Sequence, residues 1–168
     1  MHMVMALAIV AMLLYLLYSV KEPTTQLQTD KITKQLFLLA LVLTVIQIVL
    51  GTQVRQMVDT QVDLAGETAK ELWLENGALT FYFHRSFSIL VVLLNGSIFY
   101  RMLQLKLDLT KMKWVIILLA LEVITGIAMN YFHFPFGSQT LHLVLASFLF
   151  GVQFYMVIEN FKSTETTR

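Results

Sequence analysis

Long stretches without a charged residue constrain this chain more than any other feature. Residues 35–54, 86–100 and 123–158 contain no Asp, Glu, Lys or Arg. A helix needs about 20 apolar residues to cross a hydrocarbon core about 30 Å thick. Because lipid offers no partner for backbone N–H and C=O groups, such stretches must fold as helices. The pattern therefore predicts a protein embedded in a membrane.

We expect an all-α, polytopic membrane helix bundle with five transmembrane helices, one leading helix followed by a four-helix repeat. The predicted helices cover residues 3–18, 35–52, 81–103, 114–130 and 140–158. Residues 53–80 form the longest predicted loop, within which Trp73 anchors an interfacial helix. The predicted domains are the last helix of a preceding repeat (1–20), a cytoplasmic linker (21–34), a four-helix repeat (35–160) and a cytoplasmic tail (161–168).

The composition excludes several classes of protein. The chain has no cysteine, which excludes a disulfide framework, covalent haem attachment and a thiolate metal site. Only 14% of the residues are charged and the net charge is +1. No basic stripe is therefore available for nucleic acid. A cofactor in this chain would be held without a covalent bond, and histidine is its expected ligand.

Basic residues predict the orientation, because they accumulate on the cytoplasmic side of membrane proteins. Three basic residues, Arg55, Lys70 and Arg85, lie on one side of the predicted helices. The other nine lie on the opposite side: Lys21, Lys31, Lys34, Arg101, Lys106, Lys111, Lys113, Lys162 and Arg168. We therefore expect an integral protein of a bacterial plasma membrane, with its N-terminus outside and its C-terminus in the cytoplasm.

Three histidines stand near the outer ends of helices that run inward. His84 and His142 lie near the starts of the third and fifth predicted helices, and His2 heads the first. Two imidazoles on parallel helices at one membrane face could hold a haem, with some vertical offset between them. The alternative is that each packs against a hydroxyl or carbonyl of a neighbouring helix. His133, in a short loop, is expected at the interface rather than in a ligand set.

Other polar residues add candidates and alternatives. Arg55 and Arg85 could bind haem propionates at the outer surface. They could equally reach lipid headgroups, and Arg55 could pair with Asp59 at i+4. Glu122 is a functional candidate because it is ionisable in the membrane, at a depth expected to lie well below the histidines. The alternative for Glu122 is a protonated carboxyl hydrogen-bonded to a neighbouring helix.

Positions below the two histidines repeat at helical spacing. Ser88 and Ala146 lie one turn below His84 and His142, where small side chains leave room for a flat macrocycle. Asn95 and Gln153 lie three turns below and could hydrogen-bond between the helices. Small residues and buried amides are also common in ordinary packing of membrane helices.

An internal repeat and a family resemblance bring these features together. The segment HMVMALAIVAMLLY from His2 aligns without gaps on HLVLASFLFGVQFY from His142, which makes the first helix the last one of an earlier repeat. The runs IVLGTQVRQMVD, FHRSFSILV and FPFGSQTLHLVLASFLFGVQF resemble the C-terminal half of haem A synthase, a cytochrome oxidase assembly factor. The resemblance covers about residues 35–158.

The resemblance implies that His84 and His142 are the axial iron ligands of a haem b. It places the oxidation of the haem O C8 methyl to a formyl group in the other half, with His2 as a candidate ligand of a second, incomplete site. We therefore expect a haem A synthase-type oxidoreductase whose catalytic residues are not assigned. Its expected partners are membrane lipid, haem, and another copy or a separate N-terminal half, without nucleic acid. The alternatives are a small bis-histidine b-type cytochrome and a haem-free transporter or scaffold.

Overall fold

Five α-helices form the described part of the chain. The computed structural model describes residues 2–20, 29–74 and 78–162, and within these residues it contains no strand. The helices are α1 (His2–Val20), α2 (Lys31–Ala65), α3 (Ala78–Gln104), α4 (Thr110–Tyr131) and α5 (Ser138–Lys162). All five are long and apolar enough to cross a membrane. The predicted all-α fold with five spanning helices is confirmed, and the chain is an integral membrane protein.

Helices α2 to α5 form a closed ring. Each contacts the next along the chain, and α2 also packs against α5. Helices α3 and α5 therefore stand diagonally across the ring and run in the same direction. The core between them contains fully buried Ile98, Met102, Met112 and Val115. Many large apolar side chains face outward instead, which suits a bundle whose solvent is lipid.

Helix α1 lies outside the ring, against α5. Leu14 approaches Gly151, and the rings of Tyr18 and Tyr155 meet edge to face with centroids 5.8 Å apart. Both pairs have the same offset in sequence, so the two helices are parallel. Leu7 is the buried residue of α1, and most of its other apolar side chains are exposed.

Helix α2 is much longer than expected, which corrects the prediction of a loop from residue 53. Its 35 residues continue to Ala65, with Gly66 at a φ of 90° as the C-cap. No proline or glycine occurs between Gly51 and Gly66, so the helix continues for more than three turns beyond its predicted end at residue 52. A short 3₁₀ turn (Lys70–Leu72) follows in place of the predicted interfacial helix.

Trp73 is buried and does not anchor a lipid-facing helix as expected. Its ring packs on Phe134 at 5.3 Å between centroids, and both join Val58 in a small cluster above the ring. Its indole N–H donates to the carbonyl of Gly66 at 3.3 Å, and Lys70 donates to the carbonyl of Phe134 at 3.2 Å. The connections after α2 and α4 thus pack together over the end of the bundle that carries His84 and His142, called here the histidine end.

Polar contacts join the helices at the opposite end. Arg101 of α3 donates to Asp30 at 2.8 Å and to Thr33 at 3.0 Å. The hydrogen bond from Thr33 and then the Arg101 guanidinium hold the pKa of the Asp30 carboxyl below its ordinary value. Lys111 of α4 pairs with buried Glu159 of α5 at 2.8 Å. Residues 21–28 of the predicted linker and 163–168 of the predicted tail lie outside the described residues.

Candidate functional site

A buried amide pair fixes the register of the two histidine-bearing helices. The side chain of Gln153 donates to Oδ1 of Asn95 at 3.0 Å, as the sequence predicted, and both residues are buried. Each amide follows its histidine by eleven residues, close to three full helical turns. Because α3 and α5 run in the same direction, His84 and His142 lie at the same depth and on matching faces. Any vertical offset between them is therefore small, because the contact between Asn95 and Gln153, and not the distance of each histidine from its helix start, sets the register.

His84 packs against α2 through a glycine. A β-carbon at position 51 would lie 3.1 Å from Cε1 of His84, closer than carbon atoms ordinarily approach. One turn earlier on α2, the Gln47 amide donates to the backbone carbonyl of His84 at 3.2 Å. Nδ1 of His84 and Oε1 of Gln47 are buried without a hydrogen-bond partner in the described part of the chain.

His142 packs against α4 in a corresponding way, but its ring is hydrogen-bonded. Nδ1 lies 2.8 Å from Oγ1 of Thr125 and 3.2 Å from Oε2 of Glu122. A β-carbon at position 126 would lie 3.9 Å from Cε1 of His142, which is an ordinary contact. Oε1 of Glu122 is buried and unpartnered among the described residues.

The site thus has an approximate internal two-fold symmetry. In each helical hairpin, the first helix carries Gln or Glu four residues before the glycine that faces the ring. The second helix carries the histidine eleven residues before the amide. The corresponding positions are Gln47 and Glu122, Gly51 and Gly126, His84 and His142, and Asn95 and Gln153. The sequence analysis did not identify Gln47, Thr125 or the two glycines, although the repeated spacing was available as a signal.

Glu122 contacts His142, so its expected position well below the histidines is wrong. Glu122 lies nine residues before the end of α4, and His142 four residues after the start of α5. The difference of five residues corresponds to about 7.5 Å at about 1.5 Å per residue. The stagger of the two helices and the length of the glutamate side chain span this distance. A depth estimated from the position of a residue along its own helix includes neither the stagger nor the length of the side chain.

The remaining predicted site residues lie around the histidine end. Arg55 is one turn beyond Gly51 on α2 and forms the expected i,i+4 ion pair with Asp59 at 2.8 Å, with both side chains more than half exposed. Arg85 is exposed beside His84. His2 is exposed on α1, outside the ring, and His133 is exposed in the connection between α4 and α5 with a φ of 51°.

The donor set suits a group that needs two protein ligands. No cluster of three or more His, Cys, Asp or Glu residues capable of holding a metal ion occurs among the described residues. A haem iron takes four ligands from its own macrocycle, so two imidazoles complete its coordination. Unpartnered buried polar atoms are rare in folded proteins. Three of the six that occur among the described residues belong to His84, Gln47 and Glu122. The residues present therefore fit a haem between α3 and α5.

Comparison with known families adds one finding. The family model COX15-CtaA, described as cytochrome oxidase assembly protein, matches residues 1–154. The match includes α1 to α4, the part of α5 up to residue 154, and both histidines with their partners on α2 and α4. No curated protein and no solved structure matches the chain significantly.

Proposed function

Because the chain belongs to the cytochrome oxidase assembly protein family, we propose that it is a haem A synthase-type membrane protein whose ring α2–α5 binds haem b between His84 and His142. The observation that carries the proposal is the register set by the Asn95–Gln153 hydrogen bond. It brings two imidazoles to the same depth on diagonal helices. Ordinary packing requires no such match between two histidines.

Each residue of the site has a proposed task. His84 and His142 would ligate the iron, and Ser88 and Ala146 leave room one turn below them. For His142 the ligating atom would be Nε2, because Nδ1 is engaged by α4. A bound haem would supply an iron that accepts and returns one electron.

The arginines would stabilise the charged edge of that haem. Arg55 and Arg85 lie at the histidine end, where a propionate could accept hydrogen bonds from either guanidinium. Since Arg55 already pairs with exposed Asp59, a propionate would compete with a weak surface ion pair.

Within haem A biosynthesis, this ring would serve as the haem b-binding half. The resemblance noted above places the oxidation of the haem O methyl group in the other half of such an enzyme. We propose that the ring has a structural or electron-transferring role toward that oxidoreductase reaction. His2 on α1 would belong to the second site, completed by another copy or by a separate N-terminal half.

A b-type cytochrome acting only as an electron carrier is the second candidate. A relay across the membrane usually needs haem sites near both faces, whereas the four histidines lie toward one end of the described helices. This distribution favours the synthase-type proposal. A haem-free transporter with Glu122 in a proton path is the third candidate function. The haem content of the purified chain distinguishes it from the first two candidates.

The test is haem binding by the purified full chain in detergent. We expect a low-spin spectrum of the bis-imidazole type, with His84→Ala and His142→Ala each losing the haem or its low-spin signature. His133→Asn is the matched control, because asparagine tolerates the positive φ at that position. Unchanged spectra and haem content in both alanine variants would show that the ligand assignment is wrong.

A further inference from the structure

The two candidate ligands have different surroundings despite the repeated spacing. The ring of His142 has two oxygen atoms within 3.2 Å of Nδ1, from Thr125 and Glu122. Nδ1 of His84 has no hydrogen-bond partner among the described residues, and the Gln47 side chain donates to the backbone carbonyl of His84 instead. The difference arises because α4 carries a carboxyl group where α2 carries an amide.

The Thr125 hydroxyl is positioned to accept a hydrogen bond from His142. Its oxygen lies 2.9 Å from the carbonyl of Leu121 and 3.0 Å from that of Glu122. When the hydroxyl donates to one of these carbonyls, a lone pair of its oxygen is available to Nδ1 of His142 at 2.8 Å. In the tautomer with the proton on Nδ1, the lone pair on Nε2 is free for a metal.

Glu122 offers a second acceptor for the hydrogen bond from Nδ1 of His142. Oε2 lies 3.2 Å from Nδ1, and the carboxyl group is largely withdrawn from the surface. An ionisable side chain at this depth is costly and usually has a function. An imidazole that donates its second N–H to a carboxylate is held in one orientation and becomes a more basic metal ligand. Basic ligands favour the ferric over the ferrous state because the ferric iron carries the greater positive charge.

We propose that Glu122 is a positioning residue for His142. Together with Thr125, it accepts the hydrogen bond from Nδ1. His142 thereby becomes the more strongly donating ligand, and the reduction potential of the haem is lowered. His84, beside the neutral Gln47, is the weaker donor. The inference rests on the proposed function, since it requires a haem held by both histidines.

The experiment is a potentiometric titration of the haem-loaded full chain in detergent. Glu122→Gln keeps the size of the side chain and an acceptor oxygen but cannot ionise. Mutating the hydrogen-bond partner of a ligating histidine typically changes metal affinity or activity by about 10- to 100-fold. We expect at least a tenfold loss of the preference for ferric haem, equivalent to a rise of about 59 mV for one electron.

Gln47→Leu is the matched control, because Gln47 occupies the corresponding place on α2 but its side chain donates to the backbone carbonyl of His84 and not to its ring. In this variant the preference for ferric haem should change by less than about twofold. The EPR spectrum of the ferric protein should show bis-histidine coordination in both variants, which excludes ligand loss as the cause of a shift. Glu122→Asp, which withdraws the charge from Nδ1, should give a smaller rise than Glu122→Gln.

The outcomes separate the two proposals. A wild-type chain without bis-histidine haem contradicts the proposed function. Bis-histidine haem whose potential is unchanged or lowered in Glu122→Gln overturns the role of Glu122 alone. Equal shifts in Glu122→Gln and Gln47→Leu would also overturn it. If Glu122→Gln is not recovered folded, Glu122→Asp decides, because an unchanged potential in that variant contradicts the proposal.

Discussion

Replacing Gly51 by alanine should weaken haem binding without weakening the fold. The new β-carbon would lie 3.1 Å from Cε1 of His84, whereas carbon atoms pack at about 3.5 to 4.0 Å. The imidazole must then retreat by about 0.4 Å or more. In the haem-free protein the ring can turn aside. With haem bound, an iron–nitrogen bond would fix the ring, so the steric contact would raise the free energy of the haem-bound state only.

The size of the effect follows from the cost of overpacking. Inserting a methyl group into a packed interior costs about 1 to 3 kcal/mol. Taking about 1 to 2 kcal/mol for this small displacement gives a loss of affinity of about 5- to 30-fold. Alanine is the better helix former by about 1 kcal/mol, so helix α2 itself should not be weakened.

Gly126→Ala provides the matched control because it changes the same residue type beside the other histidine. Its β-carbon would lie 3.9 Å from Cε1 of His142, an ordinary contact. Haem titration of both variants, followed by absorbance, should show a clear loss for Gly51→Ala and little change for Gly126→Ala. Equal losses, or none for Gly51→Ala, would refute the argument that Gly51 makes room for His84.

Four further outcomes are expected. Asn95→Leu should cost about 0.6 kcal/mol of stability through the lost hydrogen bond to Gln153, and a double-mutant cycle with Gln153→Leu would show no coupling if that bond is absent. Stability should fall as pH drops from about 4 through the lowered folded pKa of Asp30, since protonation there favours the unfolded state, and Asp30→Asn should lack that part of the pH dependence in acid-unfolding curves. Reporters fused after Arg168 should read cytoplasmic and those inserted at Gly66 outside, and the reverse readings would contradict the predicted orientation. Co-expression with a source of haem O should yield no haem A when this chain is the only synthase component, and haem A in extracted pigments would place the catalytic residues within it.

The helices and the amide pair were predictable because they depend on one-dimensional patterns. Long apolar stretches with few or no charged residues identified all five helices, and the equal spacing of Asn95 and Gln153 from their histidines indicated their contact. The extension of α2 was missed because residues 53–65 are polar, and polarity was interpreted as a loop. Their apolar residues at helical spacing, including Val54, Val58 and Val62, carry the missing signal.

The surroundings of the histidines could not be predicted in the same way. The contact of Glu122 with His142 depends on the stagger between α4 and α5, which no single helix records. The role of Gly51 depends on the distance between α2 and α3 at one level. A search for repeated spacing between hairpins would have found both glycines, but not the fact that only one of them is in tight contact.

The closed ring also determines when the site can form during synthesis. The last helix of the ring packs back against the first, so the bundle stays open until α5 has entered the membrane. At about 5 to 20 residues per second, His142 is translated about 3 to 12 seconds after His84. His84 therefore waits in an incomplete bundle, while the hairpin α2–α3 is already inserted. Binding of a haem by both proposed ligands must accordingly follow the insertion of α5 into the membrane.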